Sequence, residues 1–175
     1  ALGLSSGFIE PLESTSIHLI QRGILRLLQL FPSKEIISSD IEEFNCQTRF
    51  ELENIRDFIV LHYHVTERKD SPFWRYCKSM SIPESLSHRL EMFKSSARLY
   101  KHGDELFNIS SWFQVLVGQG MMPEQYHPIV DLMSDEELKH FLASLREATK
   151  KSVARWPDHR EFISHYCKTT VDIKQ

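Results

Sequence analysis

The sequence predicts a mainly α chain, with a short strand or loop segment over positions 1–13 and a helical domain over positions 14–175. Apolar residues recur at three- and four-residue steps through most of the chain, capping residues stand ahead of these runs, and alternating strand patterns are almost absent. With 175 residues, of which 41% are hydrophobic and 26% charged, there is enough material for one sizeable core.

The opening run ALGLSSGFIEPLE is dense in Gly, Ser and Pro, which suits a strand end entering a tight loop. It begins at Ala1 without an initiating Met, as a cut through a larger protein would, so a connection to a preceding part is expected. From Ser14, the residues Ile17, Ile20, Ile24, Leu27, Leu28 and Phe31 lie at helical spacing, with Arg22, Arg26 and Gln29 as a narrow polar stripe. That pattern predicts a helix buried on most sides, ending at Phe31 because Pro32 disfavours helical backbone before it. Ser39 or Asp40 caps a second helix to about Tyr63, with Ile41, Phe44, Leu52, Ile55 and Ile59 inward. Glu42, Glu43, Glu51 and Glu53 are read as turned outward.

Ser71-Pro72 combines an N-cap with proline at the first helical position and opens a short helix carrying Phe73, Trp74 and Cys77. Leu86, Leu90, Phe93, Ala97 and Tyr100 give an amphipathic helix after Pro83. Trp112, Val115 and Leu116 begin another, ended by Gly118 and Gly120. Positions 101–111 carry no clear pattern. Ser134 and Glu137 form a capping box ahead of Leu138, Phe141, Leu142 and Leu145, predicting a helix to about Arg155. Pro157 restarts a last helix through Phe162, Ile163 and Tyr166.

Several function classes are set aside. A net charge of −3 and a pI near 6.3 offer no electrostatic footprint for nucleic acid. No apolar run approaches the ~20 residues that span a bilayer, and the start lacks the regions of a signal peptide, so a cytoplasmic protein away from the membrane is expected. Cys46, Cys77 and Cys167 are odd in number and far apart, which argues against disulfides and structural zinc. His62 and His64 point apart on a helix without a third ligand, so no metal site is expected. His62 continues the apolar face from Ile59 and reads as a core histidine.

The informative segment runs from Gly3 to Ile20, where an acid and three hydroxyl residues meet the start of a helix. A helix amino terminus has unpaired N–H groups and partial positive charge, and so favours anions. A plain capping role for Ser14 or Thr15, with Glu13 beside the dipole, accounts for the same residues.

The run Gly7-Phe8-Ile9-Glu10-Pro11-Leu12-Glu13-Ser14-Thr15 resembles the signature of flavin-dependent tryptophan halogenases. Arg56-Asp57-Phe58-Ile59 with His62-Tyr63, Arg68 and Asp70-Ser71-Pro72-Phe73-Trp74-Arg75 is similar to the middle helical region of that family. So are Trp112 to Pro123 and the ending Trp156-Pro157-Asp158-His159 with Phe162. The resemblance covers nearly the whole chain and implies the helical carboxy-terminal portion of a two-part enzyme.

In that family, reduced flavin, oxygen and halide yield hypohalous acid, which travels through the protein to an electron-rich aromatic small molecule. The resemblance implies reduced FAD from a separate flavin reductase, a chloride or bromide ion, and an indole-like substrate. By position, Glu13 and Ser14 match the catalytic residues, Glu13 orienting the halogenating species and taking the proton lost by the ring. Thr15 and Ser16 match the halide-binding pair, and Ser14, Thr15 and Ile17 the cofactor-binding residues. On the substrate side the chain departs from the family, with Leu106, Phe107 and Ser111 where free-tryptophan halogenases have an aromatic pair and an asparagine; Phe107, Ser111 and Trp112 are the expected substrate-binding residues, although two aromatics near a helix start also suit a core.

Departures accompany the match. The family commonly has glycine at the Ser16 position, and serine would strain a left-handed backbone there. A short Lys101-His102-Gly103-Asp104 loop stands where free-tryptophan halogenases have a long lid, so the amino-acid clamp is expected to be absent and the pocket more open. No Gly-rich dinucleotide fingerprint is present, and no lysine matches the context of the catalytic lysine. Both are expected in a missing amino-terminal flavin-binding part, leaving the segment inactive alone. A helical binding or regulatory module without chemistry, or a hydroxylating flavin monooxygenase, are the alternatives.

Overall fold

The structure, a computed structural model, describes residues 1–167; the end of the expected helical domain, 168–175, lies outside the described residues. Seven α-helices follow in order: α1 Thr15–Gln29, α2 Ser38–His64, α3 Pro72–Ser79, α4 Glu84–Ser96, α5 Ile109–Gly118, α6 Asp135–Val153 and α7 His159–Tyr166. Short 3-10 turns occupy Gly3–Ser5 and Pro128–Leu132. No strand occurs among the described residues, so the opening segment takes the loop form of the expectation. A strand there would need a neighbour to satisfy its backbone groups. The chain divides into two compact units, Ala1–His127 and Pro128–Gln175, a division that the sequence pattern did not mark.

In the first unit α2 is the spine, packing against α1, α3, α4 and α5. Its carboxy-terminal half builds the core: Phe58, Leu61 and Val65 meet Leu86, Leu90 and Phe93 of α4 and Trp112 and Leu116 of α5. Local chemistry sets the helix ends. The Ser71 hydroxyl accepts from the Trp74 N–H with Pro72 in the first turn, and Asn108 accepts from the Ser111 N–H to open α5. At the end of α5, the Met121 N–H donates to the Leu116 carbonyl and the Gly120 N–H to the Val117 carbonyl. This Schellman pattern requires a left-handed residue, supplied by Gly120 at φ +85°. Ala97 and Tyr100, expected inside α4, lie beyond it, because Ala97 is left-handed and ends the helix.

The first half of α2 meets α1 differently, and here two sequence expectations are overturned. The helix α1 is not buried on most sides: Ile17, Ile24, Leu25 and Leu28 are all exposed, as is Phe31 just beyond it. Of its polar stripe, Arg26 is buried, Arg22 partly exposed and Gln29 exposed. Arg26, only 4% exposed, donates from Nε to Gln47 Oε1 at 3.1 Å, from Nη1 to Thr48 Oγ1 at 2.8 Å and from Nη2 to Glu51 Oε2 at 2.8 Å. Arg22 Nε reaches the other Glu51 oxygen at 3.2 Å, and His18 Nε2 lies 3.0 Å from it.

His18, Arg22 and Arg26 are spaced by four residues and form one stripe, and all three converge on Glu51. That carboxylate was expected to face outward but is 6% exposed. The physical reason is pairing: a charge leaves water when an opposite charge and further donors replace its hydration.

The opening segment is tied to α2 by a second polar contact, in which the Tyr63 hydroxyl donates to Glu10. That carboxylate favours the neutral phenol and pushes the Tyr63 pKa up to about 12.

The second unit carries α6 and α7, with no buried residue among its described residues. Its α6 begins as expected, with the Ser134 side chain accepting from the Glu137 N–H while the Glu137 carboxylate accepts from the Ser134 N–H. These hydrogen bonds hold the Glu137 carboxyl below the usual range. In α7, Phe162 and Tyr166 lie with ring centroids 4.7 Å apart.

Glu51→Ala leaves Arg26 buried without its counter-charge and should lower unfolding stability by about 3–5 kcal/mol in denaturant titration. Arg22→Ala, on a side chain more than a third exposed, should cost less than about 1 kcal/mol. Tyr63 should ionise after the other tyrosines in an ultraviolet pH titration, and Glu10→Gln should bring it back toward them. Because the folded-state pKa is raised, the stabilisation from this bond is complete below pH ~10 and disappears as pH rises towards ~12.

Candidate functional site

The candidate residues of the first unit gather where the opening loop meets α1 and the carboxy-terminal half of α2. The turn before α1 is closed by the Ser14 N–H donating to the Pro11 carbonyl at 3.0 Å. Ser14 itself adopts φ 55° and ψ 31°, a left-handed conformation, and its side chain makes no capping hydrogen bond. The capping reading therefore fails for Ser14. The strain expected at Ser16 is also misplaced, since Ser16 lies inside α1 and the left-handed residue is two positions earlier. A non-glycine residue held left-handed costs on the order of 1–3 kcal/mol and is over-represented at functional sites.

Thr15 follows at the first position of α1. It is 1% exposed, and its hydroxyl has no hydrogen-bond partner among the described residues. Buried hydroxyls are almost always satisfied, and this one sits where first-turn N–H groups also lack partners within the helix. Ser16 is half-buried and lines a cavity of about 430 Å³ shared with Leu4, Phe8, Ile20, Phe44 and Arg26. Ile17 is 68% exposed beside them.

Glu13 lies within this turn with a side chain 41% exposed, its carboxylate 3.4 Å from His62 Nε2. It does not line the cavity beside Ser16. Glu10, the other acid of the segment, is already engaged by Tyr63. Of the two carboxylates, Glu13 is the one that faces an imidazole nitrogen. His18, in the first turn of α1, pairs with Glu51 and not with Glu13.

The expected substrate-side residues lie behind His62. Its ring meets Phe58 edge-on, with centroids 4.9 Å apart. Phe58 stacks on Phe107 at 3.8 Å and meets Trp112 edge-on at 5.0 Å. Phe107 is half-buried, whereas Trp112 is 2% exposed, belongs to the core and carries Arg89 over its ring at 4.1 Å. Arg89 is held there by paired bonds to the buried Glu105. The Trp112 indole nitrogen is buried and has no hydrogen-bond partner among the described residues. Ser111 is half-buried and donates its N–H to the Asn108 side chain, so it serves the α5 cap.

Thus Glu13, His62, Phe58 and Phe107 form one run of contacts, while Trp112 supports it from the core. The sequence reading missed His62 as part of this site, since nothing local to either residue reports that the turn at Glu13 lies on α2. His64 turns elsewhere, its Nδ1 3.2 Å from the Cys77 carbonyl. Among the described residues no group of three or more His, Cys, Asp or Glu side chains is placed to hold a metal ion, and no helix is long and apolar enough to cross a membrane.

The profile of the tryptophan halogenase family matches residues 1–135. The tryptophan 7-halogenase of Lentzea aerocolonigenes is 26% identical over 93% of this chain and 34% of its own length. The 7-chloro-L-tryptophan 6-halogenase of Kutzneria sp. (strain 744) is 28% identical over 94% of this chain and 32% of its own. Among solved structures, a flavin-dependent halogenase from Xanthomonas campestris is 54% identical, with a TM-score of 0.93 over 97% of this chain and 34% of that one. Another, from Brevundimonas sp. BAL3, is 42% identical, with a TM-score of 0.88 over 94% of this chain and 34% of that one. The chain spans about a third of the length of these relatives. With the motif at the head of α1 and the helices behind it both matched, the chain belongs to the tryptophan halogenase family.

Proposed function

We propose that this chain forms the substrate-side part of a flavin-dependent halogenase acting on an electron-rich, indole-like aromatic, with Glu13 as its catalytic carboxylate. The observation that carries the reading is a juxtaposition. A half-exposed carboxylate at Glu13 stands two residues before a buried hydroxyl at Thr15 that has no partner, across a left-handed Ser14 at a helix amino terminus.

The unpartnered Thr15 hydroxyl and the first-turn N–H groups have the donor chemistry that a halide or a flavin edge requires. Thr15 and Ser16 are the residues to hold halide, and Ser14, Thr15 and Ile17 the ones to meet reduced FAD. When bound, the flavin supplies with oxygen the oxidising equivalents that turn halide into hypohalous acid. The protein residues have separate tasks. Glu13 orients the oxidant and accepts the proton that leaves the ring when aromaticity returns, a role suited to a carboxylate within hydrogen-bond reach of the reacting carbon.

Phe107 offers the half-buried aromatic face of this set to the substrate, with Ser111 beside it. Trp112 backs that face from the core. The short Lys101–Asp104 loop supports a more open pocket than one built around a free amino acid. The exposed apolar face of α1, with Leu4 and Phe8, is assigned to packing against the flavin-binding part of the same protein. The separate flavin reductase and the inactivity of this segment alone belong to the same reading.

The test uses the full-length protein with a flavin reductase, oxygen, bromide and indole. Brominated indole is expected, and omission of bromide should abolish it; hydroxylated product in its place would reassign the reaction. Glu13→Gln should lower kcat about 100-fold or more with KM little changed. Unchanged turnover would remove Glu13 from the chemistry.

A further inference from the structure

His62 is held in one tautomer by its own helix. Its Nδ1 lies 2.8 Å from the Phe58 carbonyl oxygen, and a carbonyl can only accept, so the proton of the neutral ring sits on Nδ1. Nε2 then presents a lone pair, and what faces it at 3.4 Å is the Glu13 carboxylate, which also only accepts. The pair is one proton short of a hydrogen bond. Either Nε2 or the carboxylate becomes a good partner for the other once a single proton arrives.

The neighbouring groups are committed elsewhere. Glu10 receives the Tyr63 hydroxyl, His64 faces the Cys77 carbonyl through Nδ1, and His18 pairs with Glu51. The Phe58 ring, edge-on to the imidazole, fixes its plane.

We infer that His62 is the positioning residue for Glu13 and takes from it the proton released by the substrate; this rests on the halogenase reading above. The balance is closed. At the substituted carbon the C–H bond breaks, its electron pair restores the aromatic ring, and the proton passes to a Glu13 oxygen. It then moves to His62 Nε2, which regenerates the Glu13 carboxylate beside an imidazolium. Solvent removes the proton at the edge where Glu13 is exposed.

Two variants of the full-length protein test the contact with Glu13 and the acceptance of its proton. His62→Asn keeps an amide N–H for the Phe58 carbonyl but loses the contact with Glu13. His62→Gln places an amide near Glu13 that can hold it but cannot take a proton. Both should lower kcat for indole bromination by about tenfold or more, with KM within about twofold. Wild-type kcat in His62→Gln overturns the inference.

If neither variant folds, nitrogen-15 spectra of the wild-type protein decide. A proton on Nδ1 of neutral His62 is expected, and a proton on Nε2 overturns the assignment. Wild-type protein that makes no brominated indole sinks the halogenase reading, and this inference with it. Normal bromination with an unaffected His62→Gln removes His62 alone.

Discussion

A single buried carboxylate, Glu51, determines where the candidate site is. It draws His18, Arg22 and Arg26 from three successive turns of α1 onto α2. Because Arg26 is buried almost completely, sliding α1 along α2 would strand a charge in a low-dielectric setting, at a cost of several kcal/mol. An apolar interface would tolerate such a slip better, since apolar contacts are non-directional. The hydrogen bonds of the Arg26 fork to Gln47, Thr48 and Glu51 fix orientation as well as distance. The start of α1 is consequently placed with little freedom, and with it the turn through Glu13, Ser14 and Thr15.

That arrangement explains what could be read in the sequence. Features settled within a few residues were legible: the Ser71-Pro72 start, the Ser134–Glu137 capping box and the glycine stop after α5 all depend on neighbours in the chain. The periodicity of α1 was legible too, but not which face would be covered. A helical wheel separates a polar stripe from an apolar one and assumes that water lies on the polar side. For α1 the partner on the polar side is Glu51, a distant residue, so Arg26 and Glu51 were assigned to water although Ile55 and Ile59 of α2 face inward as expected. The same limit hid His62. Glu13 and Thr15 stood out through a contiguous motif, whereas the residue beside Glu13 comes from another helix.

The turn at Ser14 shows how local strain and distant pairing combine. Left-handed backbone at a serine is unfavourable, and no capping bond from its side chain compensates. Its conformation is tolerated because both flanks are anchored: Glu10 to Tyr63 upstream, and the α1 stripe to Glu51 downstream. Between those anchors the chain must reverse within a few residues. The outcome is an acid on the open side of the turn and a hydroxyl buried on the other, an arrangement that a continuous helix through Glu13 would not give.

The aromatic wall behind the acid follows from core packing, without a dedicated clamp. Phe58 belongs to the core of the first unit, and it touches His62, Phe107 and Trp112 together. A ring packed on three sides has few alternative rotamers that avoid a clash or a void, so the core sets the plane of His62 and the plane of Phe107 at once. Arg89, locked by Glu105 over Trp112, closes the far side with a cation held against the indole face. Stability and site geometry therefore share the same side chains: a change that loosens Phe58 would release the imidazole beside Glu13 as surely as it would weaken the core.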